Sequence, residues 1–222
     1  MTPYYDRDGV TIYHADCRDI LPSIDPTSVD LLLTDPPYGM ALDTDYGKPG
    51  KHKNGGLRWP SVAGDAEPFD PTPLLAFARS VLWGANYYAD RLPNRGSWLV
   101  WHKNIRSGHP DRGEAELAWT TAYNGPVRHV TVPWDVGDRP SAEPFSAYVH
   151  PTQKPVALMR WILDRWTKPG DLILDPYMGS GPVARAAQLL GRRYIGIELV
   201  EDYCKAAVNR LAQPSMFAED AA

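Results

Sequence analysis

The run Leu31-Leu32-Leu33-Thr34-Asp35-Pro36-Pro37-Tyr38-Gly39 joins an unbroken apolar segment to an acid–proline–proline–aromatic corner. A short apolar run without alternation predicts a central strand of a parallel sheet, covered on both faces. Pro36 and Pro37 fix φ twice and carry no N–H, so regular ladder pairing stops at the corner. One carboxylate, one proline carbonyl free of the ladder and one aromatic face are thereby presented together at the strand's C-terminal end, where open α/β sheets bind their ligands. Two acceptors beside a flat ring suit the exocyclic amino group of a planar base. The competing reading is a strand followed by a kinked surface loop, with Asp35 as a helix cap.

The flanking segments alternate in type. Thr11–Ala15 reads as a short strand ending at Asp16, and Val29–Thr34 is the strand of the corner. Residues 40–73 show little periodicity and much Gly, Pro, Lys and Asp, and a loop of that length in a compact domain is a functional or disordered insertion. A helix is predicted from about Pro73 through Val81, and another across Tyr87–Arg91. Trp98–Trp101 reads as a buried strand; Glu116–Tyr123 and Val127–Trp134 read as two strands joined at the turn signal Asn124-Gly125-Pro126. Val156, Met159, Ile162, Leu163 and Trp166 share one face at helical spacing, and Leu172–Leu174, a helix to Leu190, Arg193–Glu198 and Asp202–Leu211 complete the alternation. Gly191 is placed to end the helix before it. Strands alternating with helices predict a doubly wound α/β sheet.

Composition bounds the function. The 222 residues suit one large domain or one with insertions, and no apolar run approaches a membrane span. The N-terminus lacks the basic and apolar segments of a signal peptide. Cys17 and Cys204 are the two cysteines, with no zinc spacing, and read as free thiols of a reducing cytoplasm. The net charge of −4 does not announce a nucleic-acid binder, but Lys48, Lys51, Lys53 and Arg58 lie between Tyr46 and Arg58 without an acid. Charge alone favours a solvated mixed surface. Trp83, Trp98, Trp101 and Trp119 are read mostly as core.

A second informative segment is Asp175-Pro176-Tyr177-Met178-Gly179-Ser180-Gly181-Pro182, set between a strand and a helix. Its glycines let the backbone turn tightly against a ligand, and the helix N-terminus behind them favours an anionic group. Ile195-Gly196-Ile197-Glu198 ends the next strand with an acid, a placement that suits ribose hydroxyls. A Gly-Ser-Gly turn alone is weak evidence and is as often structural. The third segment is His150-Pro151-Thr152-Gln153-Lys154-Pro155, where Thr152 can cap a helix and Lys154 can meet an anionic ligand end. A capped helix with a solvated lysine is its competing reading.

Together these segments, over almost the whole chain, resemble the DNA amino-methyltransferases that use S-adenosylmethionine. The order of the segments, with the Asp-Pro-Pro-Tyr corner first and the Lys154 segment and glycine turn last, is that of the family's permuted β class. Trp83-Gly84-Ala85-Asn86 followed by Trp98-Leu99-Val100-Trp101-His102-Lys103 is similar to its small phage or prophage members.

The resemblance implies a mainly parallel, seven-stranded Rossmann-like sheet in permuted order, within one domain spanning 1–222. Residues 1–133 would be the catalytic half, 134–149 a short recognition segment, 150–222 the cofactor half and 40–73 an inserted loop that contacts DNA. It implies methyl transfer to adenine N6 in flipped-out duplex DNA, with Asp35, Pro36, Pro37 and Tyr38 catalytic. It further implies that Glu198 binds the ribose of S-adenosylmethionine, Asp16 its adenine side, and Asp175 its amine. Thr152 and Lys154 would serve its carboxylate, with Pro176, Tyr177, Gly179, Ser180 and Gly181 lining the turn.

No metal or membrane is implied. The short recognition segment implies a short or relaxed target sequence, or a homodimer that shares the work. Asp35 at the head of the corner favours adenine; cytosine N4, an RNA or glutamine acceptor, and an inactive regulator are the alternatives. Tyr177 and Pro182 depart from the commoner Phe and Thr, and Pro182 removes a hydroxyl that could help hold the cofactor.

Overall fold

The computed structural model describes residues 1–42, 44, 61–103, 113–133 and 153–213. The basic segment from Tyr46 to Arg58, the segment 134–149, and His150 and Thr152 lie outside these residues. Nine strands are described: β1 (Tyr5–Arg7), β2 (Val10–His14), β3 (Leu31–Thr34), β4 (Ser80–Trp83), β5 (Ser97–His102), β6 (Ala115–Thr120), β7 (Arg128–Thr131), β8 (Leu172–Asp175) and β9 (Arg193–Glu198). They form one sheet in the order β1-β2-β9-β8-β3-β4-β6-β5-β7. Helices α1 (Cys17–Ile20), α2 (Val156–Trp166), α3 (Pro182–Leu189) and α4 (Glu201–Leu211) accompany it, with several 3-10 turns.

The seven strands from β2 to β5 in that order form the body expected from the resemblance; short β1 and β7 are added at its two edges. All pairings from β2 through β4 are parallel, whereas β6 runs antiparallel to both β4 and β5. β3 is central and every one of its residues is buried. Leu31 and Leu33 join the core under α2, α3 and α4, and Leu32 joins the core of the opposite face, so the unbroken apolar run is required. Trp83, Trp101 and Trp119 are buried core residues, as the sequence suggested.

Three local expectations are corrected. The helix expected from Pro73 through Val81 is a 3-10 turn, Thr72–Ala76, followed by β4. Val81-Leu82-Trp83 is too short to reveal its period, and burial between β3 and β6 settles it as strand. The helix across Tyr87–Arg91 is two 3-10 turns, Ala85–Tyr87 and Ala89–Arg91. Tyr88 breaks them apart and turns inward, donating its hydroxyl to the Trp83 carbonyl at 2.7 Å. The strands on either side of Asn124–Pro126 form but do not pair. Both edges of β6 are already taken, so β7 pairs in parallel on the outer edge of β5.

The arrangement fixes where a ligand can bind. β8 continues through α3 to β9 on one side, while β3 leads to β4 on the other. The sheet therefore switches direction between β3 and β8, and open α/β sheets bind ligands outside such a point. α3 ends as predicted: the Gly191 N–H donates to Gln188 and the Arg192 N–H to Ala187, satisfying two orphan carbonyls. Both cysteines are buried and free. Among the described residues no helix is long and apolar enough to cross a membrane.

Candidate active site

Asp35 and Asp175 emerge side by side from the C-terminal ends of β3 and β8, tied together where Thr34 Oγ1 donates to Asp175 Oδ1 at 2.7 Å. The Tyr38 ring lies directly against the backbone of Gly84. A Cβ there would fall inside the ring, and Gly84 has φ 67°, so both space and conformation demand glycine. Tyr87, half exposed, stacks on Tyr38 with centroids 5.2 Å apart and an interplanar angle of 14°.

The loop after the corner is held by an acid that the sequence did not single out. Asp65, 4 % exposed, accepts N–H bonds from Tyr38 (2.9 Å), Gly39 (2.8 Å), Met40 (3.3 Å) and Leu42 (2.8 Å). Its carbonyl also accepts from Ala41 at 2.7 Å. One buried carboxylate thus satisfies most of the donors in a turn that no ladder could serve.

Across the cavity, Lys154 is brought in by the extended segment before α2. Its ammonium is 2.6 Å from Asp35 Oδ2, 3.0 Å from Glu116 Oε2 and 3.2 Å from the Tyr38 hydroxyl. Tyr38 in turn donates its hydroxyl to Asp35 Oδ1. Lys103 closes the chain at 2.6 Å from Glu116 Oε1. Sequence reading directed Lys154 toward a cofactor carboxylate; the structure places it on carboxylates of this chain.

The electrostatics follow from that contact. Burial pushes the Asp35 carboxyl up, Lys154 opposes it and Glu116 adds to it. Burial disfavours a charged Lys154, but Asp35 and Glu116 outweigh it and hold the ammonium above its ordinary value. Burial raises the Tyr38 phenol strongly, and the Asp35 charge raises it further, so it remains a donor.

On the cofactor half, Glu198 accepts from the Gly179 N–H and the Val200 N–H, each at 2.8 Å, one on each oxygen. Gly181, at φ 78°, starts α3 against α4, where a Cβ would lie 2.7 Å from the Ala207 Cβ. Pro182 occupies the first turn of α3, whose N–H has no intrahelical use. Ser180 Oγ donates to Gln153 Oε1 at 2.7 Å, and Arg210 bonds the same oxygen at 2.8 Å, bracing the glycine turn. Asp16 caps α1 through the Arg18 N–H and pairs with the Arg18 guanidinium at 2.5 Å. Asp175 is fully buried, and desolvation pushes its carboxyl up to about 7.

A cavity of about 650 Å³ is lined by both halves, from Asp35 and Tyr38 through Lys154 to Asp175, Tyr177 and Glu198. Apart from Gly181, which stands behind it against α4, every described residue singled out from the sequence for the site lines this cavity. Sequence reading assigned no site role to Asp65, Glu116, Gly84, Gln153 or Arg210. A glutamate near the head of a mostly apolar strand was the one legible sign of Glu116.

Comparison with known proteins places the chain in a family. The profile of the DNA methylase family of N6 and N4 methyltransferases matches residues 86–209. The Type II methyltransferase M2.LlaDCHI of Lactococcus lactis subsp. cremoris is 26% identical over 257 residues, covering 94% of this chain and 91% of its own. M2.DpnII of Streptococcus pneumoniae is 25% identical over 248 residues, covering 94% and 92%. Two solved structures share the fold. The M1.HpyAVI–SAM complex has TM-score 0.55 at 24% identity, covering 91% of this chain and 100% of that one. The cytosine-N4-specific PvuII DNA methyltransferase has TM-score 0.66 at 17% identity, covering 96% and 90%. The chain belongs to the DNA methylase family of N6/N4 amino-methyltransferases, whose methyl donor is S-adenosylmethionine.

Proposed function

We propose that this chain methylates the N6 amino group of adenine in duplex DNA, acting on a base turned out of the helix. The observation that carries the reading is that the Asp35–Tyr38 corner and the glycine turn with Glu198 line a single cavity. Asp35 at the head of the corner favours adenine over cytosine, and the Type II names of the relatives support a place in a modification system. The base leaves the stack because the geometry needed around its amine is inaccessible in a pair.

The cavity fits the cofactor: its volume is in the range of small-molecule sites, with mostly apolar walls and a few convergent acids. Each Glu198 oxygen is used once by a backbone N–H and retains accepting capacity for ribose hydroxyls. Asp16 is assigned to the adenine side and Asp175 to the amine, with Pro176, Tyr177, Gly179, Ser180 and Gly181 shaping the turn. Lys154 is assigned to Asp35, which it already meets. When bound, S-adenosylmethionine supplies a methyl group whose bond to sulfur breaks as the amine nitrogen bonds to carbon, the sulfur keeping the electron pair.

The chain's own part is electrostatic and positional. Asp35 and the Pro36 carbonyl accept the two amine N–H bonds, which favours a pyramidal nitrogen with an available lone pair. The carboxylate stabilises positive charge as it grows on that nitrogen. The nitrogen then sheds one proton, for which Asp35 is the adjacent acceptor. Tyr38 offers the base the ring that Tyr87 stacks on in this structure, and Pro37 stiffens the corner that holds both groups.

Transfer of tritiated methyl to duplex oligonucleotides, followed by nucleoside analysis, tests the reading. N6-methyladenine, lost with Asp35→Ala, is expected. N4-methylcytosine would replace the base assignment, and full transfer by Asp35→Ala would remove the catalytic one.

A further inference from the structure

We propose that Lys154 and Glu116 are positioning residues for methyl transfer: Lys154 fixes the Asp35 carboxylate, and Glu116 offsets the positive charge that Lys154 brings to the corner. This rests on the reading of Asp35 as the carboxylate that meets the target amine.

The physical difficulty is set by the first contact. A carboxylate that stabilises a nascent cation must be both immobile and negative. Lys154 at 2.6 Å makes Asp35 immobile, with the Tyr38 hydroxyl holding its other oxygen. A carboxylate oxygen has a second lone-pair direction, so both can still accept from an amine. The same ammonium, however, leaves the pair with no net charge and sets a cation beside the place where another must form. Glu116, 3.0 Å from Lys154, returns one negative charge to the triad. Lys103 then holds the other Glu116 oxygen at 2.6 Å, at the far end of three successive ion pairs from Asp35.

The fold is arranged for this contact. β6 is antiparallel to its neighbours, so Glu116, near its start, lies at the end of the sheet where the parallel β3 and β4 finish. A parallel strand in that position would present its C-terminal residues there instead. Lys154 spans from the start of α2, over the Trp83 ring at 5.8 Å, to reach both acids. The groups that act electrostatically on Asp35 are therefore Lys154, Glu116 and Tyr38, with Tyr88 and Asp175 alongside. Lys154 stabilises its ionised form and Glu116 opposes it.

The two residues thus act on Asp35 with opposite sign, which a merely structural role would not produce. Single-turnover methyl transfer to a duplex oligonucleotide is measured against pH for the full chain, Glu116→Gln and Lys154→Gln. Glu116→Gln is expected to lower the plateau about tenfold and move the acidic limb to lower pH, by about one unit. Lys154→Gln is expected to move that limb to higher pH, and Lys154→Arg to return it toward its original place. Carbon-13 NMR of the Asp35 carboxyl, without cofactor or DNA, is expected to follow the same directions. Glu116→Gln alone decides the matter should Lys154→Gln fail to fold: a limb that stays put or moves upward overturns the proposal. If Asp35→Ala still transfers methyl, the catalytic reading fails. If it is inactive while the limbs do not move, only the roles of Lys154 and Glu116 fail.

Discussion

Asp35 and Asp175 close neighbouring parallel strands and face one cavity, but their partners differ in charge. Asp35 meets an ammonium at 2.6 Å. Among the described residues Asp175 meets only neutral donors: the Thr34 hydroxyl at 2.7 Å, and the Tyr194 hydroxyl and Tyr177 N–H at 3.3 Å each. Burial pushes both carboxyls up, and Asp175, without a cationic partner, reaches about 7. The same residue at the same kind of strand end is thus given two electrostatic settings by one neighbouring charge. Asp35 is held against an ammonium, whereas burial pushes the Asp175 carboxyl up to about 7.

The strongest break in that comparison is Asp35→Ala, expected to reduce the methyl-transfer rate about a thousandfold while S-adenosylmethionine affinity, measured by calorimetry, stays near that of the parent. Asp175→Asn probes the other carboxylate through stability. The native Asp175 pKa of about 7 lies above its ordinary 3.8, so between those values the folded state binds more protons than the unfolded one. Stability therefore falls as pH rises through this window, by on the order of a few kcal/mol for a fully buried group. Denaturant unfolding at pH 5 and pH 8 is expected to show that loss in the parent and not in Asp175→Asn. Equal pH dependence in both would remove the difference between the two acids.

A smaller effect sharpens the catalytic side. Gly84→Ala drives a methyl group into the Tyr38 ring, and a misplaced ring should lower the rate about ten- to a hundredfold. An unchanged rate would show that Tyr38 need not sit where it does. Smallest is Glu198→Ala, expected to weaken S-adenosylmethionine binding about tenfold by calorimetry. Intact affinity would displace Glu198 from the ribose.

The sequence disclosed the parts of this site that are local and left hidden those made by distant pairing. The corner, the glycine turn and Glu198 each sit where an apolar run meets a turn, a signal carried within a few residues. Lys154 was visible as a residue, but its partners Asp35 and Glu116 come from β3 and β6, and only the assembled sheet shows which anions it meets. The first residues of β4 fall within the helix expected through Val81 because three apolar residues define no period, and the fate of β7 depends on β6 having no free edge. Asp65 lies in a stretch without periodicity, so nothing around it marked four backbone donors as its targets.

The Asp65 clamp has a consequence for how such an enzyme can change. Residues 38–42 and residue 65 are joined at the base of the insertion, so the chain between them leaves and re-enters the body at fixed points. Loop closure costs grow only slowly with length. The insertion can therefore be exchanged, lengthened or recharged while the turn carrying Tyr38 keeps its shape. In this chain one buried carboxylate anchors the turn that carries Tyr38 apart from the insertion that follows it.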